Sequence, residues 1–458
     1  MKRKLRGWVA WVFVALIGSL PINANAESKI TLEELHQQME EMRRNYEQQI
    51  GVLQAQINDL SKGGSGVVSD GESRFAKEES RQFLGTIRDE FKNRIVGRTI
   101  LGGYADMEFI DRKGGGESFF DQHRIVPFIY ADVTDQIKMA SEIEFEHGGP
   151  QNNQDDGEVK VEFAVIDYEL LEALNFRAGI LLSPLGHFNL IHDSPINDLT
   201  ARPLVATNII PTTLSEAGAG FYGSFYPTEL SKVDYEVYLV NGFEGFKDFD
   251  PATGDADVAI TQTAGVRGAR GSQSSDINDN KAVVGRIAMS PFLGTEVGVS
   301  AHIGDYDEEG DNTLAIYAVD WTLQKGPFEL IGEYAVANIE REGRVALFNE
   351  SRLKESERIP GRIDGAYLQL NYHWMADWLR EACPLVFKPE SVFTLVGRYD
   401  VIDLGNSDSG IGERDRWTVG GNFRPTEDTA FKLEYQINDG DRSSDKDNAF
   451  LASVATYF

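Results

Sequence analysis

Glu296-Val-Gly-Val-Ser-Ala-His-Ile303 decides how most of this chain folds. Side chains alternate sides along a strand, so Val297, Val299, Ala301 and Ile303 share one face and Glu296, Gly298, Ser300 and His302 the other. The same half-apolar pattern returns from about Thr99 to Phe458. It predicts strands near 99–111, 119–132, 137–147, 158–168, 176–186, 216–226, 233–242, 281–289, 295–304, 313–323, 328–337, 364–374, 391–403, 414–423, 429–438 and 447–458. No helical periodicity separates them. The reading is all-β: a closed barrel of sixteen antiparallel strands.

The connections carry the next inference. Short ones (Val133–Gln136, Pro227–Lys232, Ser290–Gly294, Gln324–Pro327, Arg424–Asp428) alternate with long ones (His147–Gly157, His187–Ser215, Phe243–Asn280, Asn338–Ile363). Transmembrane barrels of the bacterial outer membrane show this asymmetry, with an even strand count. An even count puts both barrel ends on the short-turn side, in the periplasm. Met375–Glu390 is the exception, a long connection where a short one is due.

Face chemistry says which side of the wall is wet. Ile137, Met139, Ile143 and Phe145 oppose Lys138, Glu142, Glu144 and Glu146; Phe431, Leu433, Tyr435 and Ile437 oppose Lys432, Glu434 and Gln436. Sixteen strands enclose more space than their side chains fill, so the polar set lines water and the apolar set faces lipid. Tyr222, Tyr226, Trp321, Tyr372 and Trp374 lie near strand ends, where interfacial aromatic girdles form.

The start of the chain fits export. Lys2, Arg3, Lys4 and Arg6 precede an apolar run from Trp8 to Leu20, and Ala24-Asn25-Ala26 is a small-x-small cleavage site. Residues 1–26 therefore read as a signal peptide. Removing them takes away four positive and no negative side chains, moving the formal charge from −29 to −33. So acidic a chain is a poor partner for nucleic acid. Cys383 is the single cysteine, so no disulfide framework and no Cys/His metal cluster is expected.

Residues 27–61 read as a periplasmic coiled coil. Leu32, Leu35, Met39, Met42 and Tyr46 are spaced 3, 4, 3, 4, and Ile50, Leu53, Ile57 and Leu60 continue after a stutter. Thr31 and Glu34 form a capping box. Residues 62–98 read as a linker opening on Lys62-Gly-Gly-Ser-Gly66, with room for a short helix, and residues 99–458 as the outer-membrane barrel.

Loops beyond about 12–15 residues usually have a task. The His187–Ser215 connection, stiffened by Pro195, Pro203 and Pro211, is expected to fold inward and constrict the barrel. Its candidate constriction residues are His187, Asn189, His192, Asp193, Asp198 and Arg202. Lys138, Glu142, Glu144, Arg286, Arg398 and Lys432 are the candidate lining residues on the strands. His187-x4-His192-Asp193 lacks a third spaced metal ligand. Ser194 beside His192 and Asp193 is poor triad geometry. No metal, cofactor or enzymatic role is expected. The Gly/Asp/Ser-rich Phe243–Asn280 stretch has no EF-hand spacing and reads as an external loop.

Arg177-Ala-Gly-Ile-Leu-Leu-Ser-Pro-Leu-Gly186, Arg202-Pro203, Ile209-Ile-Pro-Thr-Thr-Leu-Ser-Glu216-Ala-Gly218-Ala-Gly220 and Val396-Gly-Arg-Tyr-Asp-Val-Ile-Asp403 together resemble the phosphate-selective porin O/P-like family of Gram-negative porins. The likeness spans about 99–458. It implies a sixteen-stranded barrel and a homotrimer, which suits a three-stranded coiled coil. Anion-selective members line the pore with many Lys and Arg. Here Arg202 is the constriction loop's only Lys or Arg, so phosphate selectivity is not carried over. The expected function is passive diffusion of small hydrophilic solutes or ions through an outer-membrane porin. The alternative is the barrel sheath of a porin–cytochrome electron conduit; with no Cys-x-x-Cys-His in this chain, the haem would belong to a partner.

Overall fold

The computed structural model describes residues 98–113, 118–149, 157–250, 252–253, 255–351, 358–405, 412–441 and 443–458. The expected signal peptide, coiled coil and linker lie outside them. Strands run in chain order as β1 (Thr99–Arg112), β2 (Phe119–Asp132), β3 (Ile137–Glu146), β4 (Glu158–Leu171), β5 (Leu174–Leu182), β6 (Ser215–Thr228) and β7 (Ser231–Val240). A small hairpin follows, β8 (Phe246–Asp250) with β9 (Asp255–Val258). Then come β10 (Ala282–Phe292), β11 (Thr295–Asp305), β12 (Thr313–Lys325), β13 (Phe328–Ile339), β14 (Arg362–Trp374), β15 (Val392–Asp403), β16 (Glu413–Thr426), β17 (Thr429–Gly440) and β18 (Ala449–Tyr457). All but β8 and β9 form one closed antiparallel barrel of sixteen strands.

Closure is made by β1 on β18, from Tyr104 opposite Tyr457 to Arg112 opposite Ala449. Gly103 and Phe458 exchange both backbone hydrogen bonds, 3.1 and 2.9 Å long. Closure leaves no unpaired edge, which is the condition for a sheet to cross a bilayer. Among the described residues no helix is long and apolar enough to do so. The period-2 pattern sets the faces as expected: Val299, Val319, Leu370, Leu395, Val419 and Leu433 are exposed on the outer wall.

The structure corrects the sequence reading at the fifth strand and at Tyr222. The fifth strand stops at Leu182 rather than 186, because Ser183 bonds back to Leu214 (3.0 Å) and the chain turns into the barrel. Tyr222 is not in an outer girdle. It faces inward under the Arg177 guanidinium, 4.5 Å from its ring centre, beside the Arg177–Asp167 ion pair. The long 375–390 connection carries a short helix, α3 (Asp377–Ala382), and Phe387 packs on Phe393 and Phe423.

A further difference concerns the interior. Water was expected throughout the lumen. Along β10–β15 the inward faces near the long connections are instead apolar: Val284, Ile316, Ala335, Ile363 and Ile402 are buried. Against them pack Val205 from α1 (Val205–Asn208) with Ile209 and Ile210, then Phe246 and Ile260, and Val345 and Phe348 from α2 (Gly343–Ser351). Long connections bring in enough apolar surface to fill space the strands cannot. Each such side chain gains roughly 1.5–3 kcal/mol from burial, so this half of the barrel is packed like a globular core.

Candidate functional site

The connection between β5 and β6, residues 183–214, lies inside the barrel and is held at its neck, its start and along its arc. Asn189 makes the neck. Its Nδ2 donates to the carbonyls of Ser183 (2.8 Å) and Leu214 (3.2 Å), and its Oδ1 accepts from Leu214 N (2.9 Å). At the start, Gly186 N donates to Ser300 Oγ (2.9 Å), while His187 N and Phe188 N donate to Glu333 Oε2 (2.8 and 3.1 Å). Only glycine serves at 186. Its φ is +70°, and a Cβ there would stand 2.8 Å from both Glu333 carboxylate oxygens.

Along the arc, strand cations take the loop's carbonyls and strand acids take its N–H groups. Arg424 donates to Pro195 O, to Ile196 O (2.7 Å) and to Asn197 O (3.2 Å), and Lys432 Nζ to Ser194 O and Leu199 O. Arg398 reaches Ala201 O (2.9 Å) and Arg416 reaches Arg202 O (2.8 Å). Glu434 accepts from Thr200 N (2.7 Å), and Asp400 from Leu204 N (3.0 Å). Hydrogen bonds with a charged partner are roughly twice as strong as neutral ones. The loop is therefore a fixed part of the wall.

A cavity of about 1150 Å³ passes this loop. It is lined at one end by Leu293, Gln324 and Glu427, beside the short connections, and at the other by Arg112, His147 and Arg267, beside the long ones. Between them it runs past Glu108, His123 and Arg124 of β1 and β2 on one side and the loop on the other. The charges there are interleaved. His123 Nδ1 lies 2.9 Å from Glu108 Oε1 and 3.2 Å from Asp106 Oδ2; Arg124 pairs with Glu144 (2.9 Å) and Glu146 (3.4 Å).

The expected constriction residues take different stations. His187, His192, Asp198 and Arg202 line the cavity. Asn189 is fully buried in the neck. His192 sits against Glu162 (3.3 Å), Asp193 accepts from the Tyr457 hydroxyl (2.8 Å), and Asp198 accepts from Asn371 (2.7 Å) and Asn422 (3.0 Å). Arg202 Nη1 is bound to Thr212 O at 2.6 Å; burial, with Arg124 nearby, lowers its pKa to about 10, so it stays charged at neutral pH. Burial also lowers the pKa of His187, which favours the neutral ring.

Of the expected strand residues, Arg398 lines the cavity. Glu142, Glu144, Arg286 and Lys432 are buried in ion pairs and hydrogen bonds behind it. Lys138 is at the short-turn rim, paired with Asp132 at 2.9 Å. The sequence reading missed Arg124, Glu333, Arg416 and Arg424, although all four lie on the inward phase of their strands, where a charge is already a signal. Among the described residues, no group with metal-like spacing contains both His187 and His192. Two groups have such spacing: Asp106, Glu108 and His123, and His187, Glu296 and Asp320.

No family model matches the chain. An uncharacterized protein of Aquifex aeolicus (strain VF5) is 27% identical over 364 residues, covering 78% of this chain and 79% of that one. Among solved structures, the outer membrane channel DcaP of Acinetobacter baumannii is 11% identical, covering 79% of this chain and 97% of its own, with a TM-score of 0.46. The anion-selective porin from Comamonas acidovorans is 12% identical, with coverages of 79% and 99% and a TM-score of 0.46. OmpF of Salmonella typhi is 12% identical, with coverages of 79% and 97% and a TM-score of 0.48.

Proposed function

We propose that this chain is an outer-membrane porin that gives passive diffusion of small hydrophilic solutes or ions, with the 187–215 loop as its constriction. The observation that carries the reading is the cavity lined by residues of both rims, inside a closed barrel with an apolar outer wall. A wall of that kind is stable in lipid and not in water. Passage is then set by the gap between the loop and β1–β3 and by the charges in it: Glu108, His123, Arg124, Glu146 and Arg202. In this reading the chain is a homotrimer joined through its coiled coil and barrel walls, with the coiled coil in the periplasm.

The apolar filling along β10–β15 and the clamped loop favour this reading over a sheath. They take up bore that a threaded partner protein needs. The test is single-channel recording of the purified protein in a planar bilayer, with reversal potentials across a salt gradient. Conductance in three equal steps is expected. Insertion without conductance would overturn the proposal.

A further inference from the structure

Four neighbouring strands bring Arg286, Glu296, Asp320 and Glu333 together on the inner wall under the start of the constriction loop. Asp320 and Glu333 are directly opposite across β12 and β13, which puts their Cβ atoms about 4.5–5.5 Å apart. Both are buried, 1% and 0% exposed. Each uses one oxygen. Asp320 Oδ1 accepts from Arg286 Nη2, which also reaches Glu296 Oε1 at 3.2 Å. Glu333 Oε2 accepts the loop N–H groups of His187 and Phe188. The other oxygens, Asp320 Oδ2 and Glu333 Oε1, are buried without a hydrogen-bond partner.

Buried carboxylate oxygens are nearly always satisfied. Two bare ones on adjacent residues need a common explanation. Charge points the same way: three carboxylates face one guanidinium, an excess of two negative charges. The loop supplies a fourth group. His187 Nδ1 stands 3.7 Å from Glu296 Oε1, and His187, Glu296 and Asp320 each offer a ligand atom within 4.8 Å of the others. The floor is kept clear by Gly298, where a Cβ would collide with Arg286 and Asp320.

We propose that His187, Glu296 and Asp320 form a binding site for one divalent first-row transition ion, with the Glu333 carboxylate beside it. The ion balances the two excess charges and takes up the bare Asp320 oxygen, while Glu333 adds negative charge next to it. One imidazole among carboxylates suits Mn²⁺, Fe²⁺ or Zn²⁺ better than Ca²⁺ or Mg²⁺, which prefer oxygen alone, or Cu⁺, which prefers sulfur. His187 and Glu296 line the cavity, so the ion enters from the channel, and its binding ties the loop to β11–β13. Access from the channel rests on the porin reading; the site itself does not.

The test is calorimetric titration of the full-length, chelator-stripped protein in detergent with ZnCl₂, in excess CaCl₂ to occupy the acidic outer loops. One ion per chain is expected. His187→Ala and Asp320→Asn should each weaken binding at least about tenfold, while His123→Ala, in the other metal-spaced group, should leave it unchanged. His187→Ala alters only a loop side chain, so it remains informative if Asp320→Asn does not fold. The absence of saturable Zn²⁺ uptake would overturn the proposal and leave a proton shared between Asp320 and Glu333 as the account of the bare oxygens. Equal binding by wild type and both variants would overturn it too. Zn²⁺ binding by a protein that does not conduct would sink the porin reading and keep the site; conductance without Zn²⁺ binding would do the reverse.

Discussion

The two halves of this barrel are written in the same alternating pattern and do opposite things with it. Along β1–β3 the inward face carries Glu108, His123, Arg124 and Glu146 and borders the open cavity. Along β10–β15, near the long connections, the inward face is Val284, Ile316, Ala335 and Ile363, sealed under Ile209, Ile210 and Phe246. Alternation fixes which residues point inward. What they meet there is set by the long connections, and these are spread unevenly around the rim. A closed barrel can thus be a globular core on one side and border a cavity on the other.

The contrast can be broken by mutation. Ile209→Ala, in the filled half, should cost about 2–5 kcal/mol through the cavity it leaves. Ile110→Ala, at the cavity wall, should cost less than about 1 kcal/mol, because water already reaches it. Unfolding of the detergent-solubilised barrel in denaturant, followed by its shift in gel mobility, measures both. Equal losses would mean that the filled half is not packed as described.

Val299→Arg sharpens the same contrast from outside. Half-exposed on the outer wall, Val299 should tolerate alanine but lose about 2–4 kcal/mol as arginine if it lies near the bilayer midplane. Refolding into lipid vesicles, scored by protease protection, reads this. Gly186→Ala should follow at about 1–3 kcal/mol, since alanine must adopt a left-handed backbone beside Glu333. Its effect belongs to the loop: current noise should rise while the barrel remains folded. The clearest effect on passage is expected of Arg124→Ala, which also breaks a buried ion pair at a cost of about 3–5 kcal/mol. Removing that cation leaves Glu146 unpaired at the cavity wall and Glu144 unpaired behind it, so the reversal potential should move toward cation preference.

The sixteen strands and their closure were legible because a period of two repeated over a long chain is hard to mistake, and short turns alternating with long ones supply the direction. Tyr222 was legible in principle, since it pairs across β6 and β7 with Glu236, an inward residue. The filled half was not. Val205, Ile209, Ile210, Phe246 and Ile260 sit in connections without periodicity, and their partners are far away in sequence. The loop was legible as an insertion from its length and prolines, but its anchoring was not. Arg398, Arg416, Arg424 and Lys432 bind backbone carbonyls, and every residue has a carbonyl. An acceptor with no side chain leaves no mark in a sequence.

The most direct measurement is the single-channel conductance of the wild type beside a variant whose residues 188–213 are replaced by a short glycine–serine bridge. A loop that sets the narrowest point of an open channel predicts steady current in the wild type and a several-fold larger current in the variant. Equal conductance in the two, or a wild type that inserts and stays silent, would contradict the account.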